Sequence, residues 1–79
     1  PLRYPAQARA EGISGHVKLN LLINSKGHVE KVEILDSSPP NIFDSVALNS
    51  AREWIFSPAK YQGKSVRVWV SQNIRFELN

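Results

Sequence analysis

Two histidines and no cysteine make up the whole metal-soft inventory of the 79-residue chain. His16 and His28 stand at opposite ends of one β-rich stretch with no second ligand type beside either, so they read as surface histidines; neither a metal nor any other cofactor is expected. No serine, histidine and aspartate fall into a nucleophile arrangement, and no strand-turn-helix elbow or phosphate-cradling glycine loop is present. Gly12 and Gly15 read as a helix stop and a strand entry. Catalysis is therefore not expected. What remains able to do chemistry is a cluster of three side chains, Arg67, Trp69 and Arg75, and the backbone of the long β segment that carries them.

That segment runs over 65–78. Val66, Val68, Val70, Ile74, Phe76 and Leu78 take the even positions, broken only by Gln72, and Ser65, Arg67, Trp69, Ser71, Asn73, Arg75 and Glu77 take the odd ones. This is the period of a strand with one face in a core and one in water. At about fourteen residues it is over twice the usual strand length. An aromatic on the polar parity, Trp69, either meets a partner or lies over a helix end.

The elements that must position this strand are legible upstream. Pro5, three alanines and Gly12 bound a short helix over 4–12. Val17, Leu19, Leu21 and Ile23 alternate with polar neighbours in a first strand, with Leu22 as the exception. Asn24, Ser25, Lys26 and Gly27 supply a turn, and a second strand follows over 29–35. Its apolar parity switches between Val29 and Val32, which predicts a bulge near Glu30 and Lys31. Pro39 and Pro40 end that strand, and Asn41 followed by Asp44 reads as a cap opening a longer helix to about Trp54, with Phe43, Val46, Ala47, Ala51 and Trp54 on its apolar stripe. Trp54 and Phe56 are expected as core anchors. Pro58 and the run Tyr61-Gln62-Gly63-Lys64 separate this helix from the long strand.

The resulting order is α-β-β-α-β. A hairpin followed by a helical crossover places the first strand in the middle of an α+β, three-stranded, antiparallel-type sheet of order second, first, third, with the helices on one face. The long strand is then an edge. Proteins ordinarily blunt such an edge with proline, bulges or short length, and no Pro or Gly interrupts this one. Three readings stay open: an extended peptide adds beside it, its charges merely keep it soluble, or it pairs with a second copy in a homodimer.

Composition fits a single domain over 1–79. The 42% hydrophobic content supports a core, and 22% charged residues argue against disorder. The net charge of +3 is spread along the chain rather than gathered in a block, which speaks against a nucleic-acid module; Arg67, Trp69 and Arg75 are the only candidates for one. The chain begins at Pro1 with no initiator Met, signal peptide or membrane-length apolar run, and reads as a fragment of a longer protein.

The succession Tyr4-Pro5, Gly15-His16-Val17-Lys18-Leu19, Lys26-Gly27-His28-Val29, Phe43-Asp44, Ala47, Ala51 and Trp54-Ile55-Phe56-Ser57-Pro58 resembles the TonB C-terminal domain family over nearly the whole chain. The resemblance implies a periplasmic domain of a protein anchored in the inner membrane of a Gram-negative bacterium. It also implies that the domain grips the Ton box, an extended peptide of outer-membrane transporters for siderophores, haem or cobalamin, by adding it to the last strand. Force derived from the proton gradient through ExbB and ExbD, which the missing N-terminal part would meet, is passed on in this way. Carried onto this chain, the backbone of Val66, Arg67, Val68, Trp69, Val70 and Ser71 would receive the Ton box. Leu2 and Arg3 stand where relatives often have a Gln-Pro pair that touches the transporter. Gln7 replaces a basic residue found in some relatives, a role that Arg9 could take. Short fragments of such domains are also expected to exchange strands into intertwined dimers.

Overall fold

Alternating apolar residues build β1, Gly15–Ile23, and bury its inner side: Val17, Leu19, Leu21 and Ile23 are all sealed from solvent. The computed structural model describes residues 2–78; Pro1 and Asn79 lie outside the described residues. The short helix α1 is Ala6–Glu11, closed by Gly12 in the left-handed region at φ 68. A turn at residues 24–27 joins β1 to β2, Val29–Ser38. Asn24 Oδ1 accepts the N–H groups of Lys26 and His28 at 2.9 and 3.0 Å, fixing that turn.

Gly27, at φ 89, is buried because the chain returns over it: a Cβ there would lie 1.9 Å from the Phe56 carbonyl oxygen. Phe56 N–H donates to the Gly27 carbonyl at 2.8 Å, and His28 bridges Ile55. The segment after the second helix is thereby tied to the hairpin tip. Gly15 has a comparable role at the other end, where a Cβ would meet the Ser38 carbonyl oxygen at 2.0 Å and the Phe43 ring at 2.9 Å.

The pairing of β2 with β1 contains two irregularities. Leu22 faces Lys31 while Ile23 faces Val29, leaving Glu30 as an extra residue, where the parity switch predicted a bulge. A second bulge falls at Leu35, between Ile34 opposite Leu19 and Asp36 opposite Lys18. It returns the strand to its first parity and turns Leu35 out to 51% exposure.

The second helix, α2, is Asp44–Ala51, shorter than the expected span to Trp54. Asn41 does not cap it: Asn41 sits at φ 65, and its N–H donates to Asp44 Oδ1 at 3.1 Å, so the acid braces the entering loop. Beyond it come two short strands not anticipated from the sequence, or anticipated as part of the long one. These are β3, Ala59–Tyr61, and β4, Lys64–Val66, which pair in a two-stranded ribbon; β5, Val68–Phe76, completes the main sheet. The sheet order is β2-β1-β5, with β1 antiparallel to both neighbours. The expected single strand over 65–78 is therefore divided at Arg67, and its leading end, instead of overhanging, pairs with β3.

The core lies between the sheet and the helices. Phe43 and Phe76 stack at 4.3 Å with planes 11° apart, and Tyr4 meets both edge-on, at 5.5 and 6.0 Å. The Tyr4 hydroxyl donates to the Ile13 carbonyl, so the N-terminal segment and α1 are held to the sheet by one side chain. Trp54 and Phe56, expected as anchors, are only half-buried and pack on the rim of this core, edge to face at 6.2 Å.

Candidate functional site

Which peptide groups of β5 are free follows from the alternation of an antiparallel ladder. Asn24 N–H donates to the His28 carbonyl, so Asn24 points its backbone at β2. Alternation then turns Ile23, Leu21, Leu19, Val17 and Gly15 toward β5, where their partners are Val68, Val70, Gln72, Ile74 and Phe76. The N–H and C=O groups of Trp69, Ser71, Asn73 and Arg75 face away from the sheet.

The same edge continues through β4. Tyr61 and Lys64 flank a two-residue turn with Gln62 at φ 50 and Gly63 at φ 80, the tight turn that suits twisted hairpins. Tyr61–Lys64 and Ala59–Val66 are then the hydrogen-bonded pairs, so even residues face β3 just as even residues of β5 face β1. Exposure alternates through Arg67 without a phase change: Val66 and Val68 are half-buried, and Ser65, Arg67 and Trp69 are exposed. The break at Arg67 is thus a change of inner partner, from β3 to β1, and the outward donors and acceptors of β5 lie at Trp69, Ser71, Asn73 and Arg75.

The expected site residues divide into two groups. Val66 lies in β4, Arg67 at the junction, and Val68, Trp69, Val70 and Ser71 in β5, with Val68 to Ser71 facing Ile23 to Asn20 of β1. Val68 and Val70 pack on the core, whereas Trp69 stands on the opposite face at 44% exposure. Across from it is Leu22, only 4% exposed yet outside the main core cluster, which makes Leu22 the single buried apolar residue of the open face among the described residues. Its two cross-strand partners are Trp69 and Lys31. Trp69 is therefore not laid over a helix end. Arg67 reaches Glu30 on the bulge at 3.9 Å, with the arginine largely in solvent and the glutamate partly so. Farther along, Arg75 pairs with Glu77 at 2.7 Å, and His16 Nε2 lies 2.9 Å from Asp36 Oδ2.

The second group lies elsewhere. Leu2 and Arg3 are exposed, and Arg3 lines a groove with Val46, Ser50, Glu53 and Trp54 of the α2 side. Gln7 and Arg9 are exposed on α1, and the Arg9 guanidinium sits 5.7 Å from the centre of the Tyr4 ring. The edge residues and this N-terminal set do not converge on one pocket. The bulge at Glu30 and the ribbon residue Lys64 belong to the edge's surroundings. The parity switch in β2 signalled the first of these, and nothing in the three-residue β3 signalled that a ribbon would carry the second.

Two helices on one face of a three-stranded antiparallel sheet, with one edge straight and unpaired, define an α+β domain of the strand-edge kind. The family model for the Gram-negative bacterial TonB protein C-terminal region matches residues 1–78, and the chain belongs to that family. It is 36% identical over 77 residues to the TonB protein of Escherichia coli, covering 98% of this chain and 30% of that protein. To the TonB protein of Pseudomonas aeruginosa it is 36% identical over 78 residues, covering 99% of the chain and 23% of that protein. The chain thus spans less than a third of these relatives. The solution structure of the Pseudomonas aeruginosa TonB C-terminal domain superposes with a TM-score of 0.84 at 32% identity, covering 99% of this chain and 79% of that one. The TonB2 protein of Vibrio anguillarum shares the fold, with a TM-score of 0.76 at 22% identity.

Proposed function

We propose that this domain receives an extended peptide, the Ton box of an outer-membrane transporter, by adding it as a fourth strand beside β5, and passes on force derived from the proton gradient. The observation that carries this reading is the outer side of β5, whose nine pairs with β1 run without a register shift while the sheet's other edge is bulged twice. Backbone pairing gives affinity independent of side chains, and the alternate residues Arg67, Trp69 and Ser71 would read the peptide's face on the open side of the sheet. Leu2, Arg3 and Arg9 would add contacts from the N-terminal set. On this reading the domain works in the periplasm as part of a longer inner-membrane protein that meets ExbB and ExbD through other segments; membership of the TonB C-terminal family is what supports it.

Titration of isotope-labelled protein with a Ton-box peptide tests it. The largest backbone amide shifts are expected at Trp69, Ser71 and Asn73, whose N–H groups gain a partner. Binding with shifts confined to the groove beside Arg3 and Trp54 would refute the edge assignment. A second copy could take the same edge, so dilution that sharpens the spectrum would reveal self-pairing in competition with the peptide.

A further inference from the structure

Between Glu53 and Glu77 the chain carries Lys60, Lys64, Arg67 and Arg75 and not one carboxylate side chain, although seven acids occur elsewhere. The strand at the opposite edge is the reverse, with Glu30, Glu33 and Asp36 against Lys31. The cationic stretch is not spread evenly along the free edge. Lys64 and Arg67 lie at its β4 end, three residues apart and so on opposite faces of the strand, and Lys60 stands one strand inward. Among the described residues Arg67 has one ion-pair partner, Glu30 at 3.9 Å, an exposed pair of the weakest class.

A strand added along β5 that continues past Arg67 would run between Lys64 on one face and Arg67 on the other. Resting on the strand-addition reading above, we propose that the β4 end of the edge reads an acidic flank on the incoming peptide, with Lys64 and Arg67 as specificity-determining residues. Arg67 then exchanges Glu30 for a carboxylate of the partner, an exchange that costs little because the existing pair is exposed and long. Tyr61, opposite Lys64 at the ribbon tip and exposed, offers the flank an apolar wall beside its charges.

The test uses synthetic peptides with an alternating threonine and valine core, flanked at one end or the other by aspartate, glutamine or lysine runs. The aspartate flank should tighten binding about three- to tenfold over glutamine at low salt, at one end only, and the gain should vanish in high salt. The end that matters reports the direction of the added strand: an antiparallel peptide brings its C-terminus to β4, a parallel one its N-terminus. A Lys64→Gln/Arg67→Gln variant should bind all flanks alike. A charge-matched Lys18→Gln/Arg52→Gln variant should keep the preference. Equal binding of all flanks to the unaltered protein, or equal loss of the preference in both variants, overturns the inference and leaves strand addition standing. Binding of no peptide at all removes strand addition and this inference with it.

Discussion

The sheet has two edges, and they are built differently. The β2 strand departs from its partner twice, at Glu30 and Leu35, and each extra residue twists the strand and spoils the outward line of donors and acceptors. By contrast, β5 keeps nine pairs with β1 without a shift. One fold thus carries a protected edge and an open one, separated by a single strand. An edge left unshifted beside one that is blunted supports the proposed strand addition, because the means of blunting it occur in the same molecule.

Changes beneath or along the edges should break this contrast to different degrees. The largest effect is expected from Phe43→Ala, which removes the ring stacked on Phe76 and supported by Tyr4. A loss of about 3–5 kcal/mol in chemical denaturation would take both edges with it. Next comes the pair Val70→Pro and Ser71→Pro. Proline at 70 deletes a donor to β1 and should cost about 3 kcal/mol or more. At 71 it deletes an outward donor, so the domain should stay folded by circular dichroism while peptide binding falls at least about tenfold. If the two variants behave alike, the assignment of outward groups is wrong.

Deletion of Leu35 is a smaller perturbation. It removes a bulge without moving Ile34 or Ser37 to the other face, so stability should change by about 1 kcal/mol or less. With only the Glu30 bulge left, β2 should then self-associate with rising concentration in analytical ultracentrifugation, and a deletion variant that stays monomeric would show that the Leu35 bulge does not protect. Smallest of all, Arg67→Gln should alter the unfolding free energy by less than about 0.5 kcal/mol, since its ion pair is exposed.

How much of this could be read from the residues depended on the range of the signal. The alternation of Val17 to Ile23 and of Val66 to Phe76 is local and strong, and it led directly to the sheet order and the edge. The bulge at Glu30 was visible as a parity switch. Its companion at Leu35 was not, because Leu35 keeps the parity of Val29 and only pairing reveals that the strand shifted twice. The β3 strand is three residues of Ala, Lys and Tyr, too short to show a period, so the ribbon and the division at Arg67 were hidden. The helix start moved because Asn41 takes a left-handed conformation and leaves Asp44 to bind its amide. Tyr4, Phe43 and Phe76 form the aromatic centre across separations no local pattern spans, whereas Trp54 and Phe56 announced themselves in sequence and remained on the rim.

The chain's two tryptophans divide between these regions. Trp54 lies against Phe56 on the helix side, and Trp69 stands on the open face over Leu22, beside the unpaired groups. Intrinsic fluorescence can therefore be made site-resolved with one conservative exchange. In a Trp54→Phe protein the emission belongs to an indole at the open edge and should shift to the blue as a strand shields it. In a Trp69→Phe protein the remaining indole responds to whatever settles in the groove beside Arg3. The domain carries its own optical readout for telling occupants of one surface from occupants of the other, without an added label.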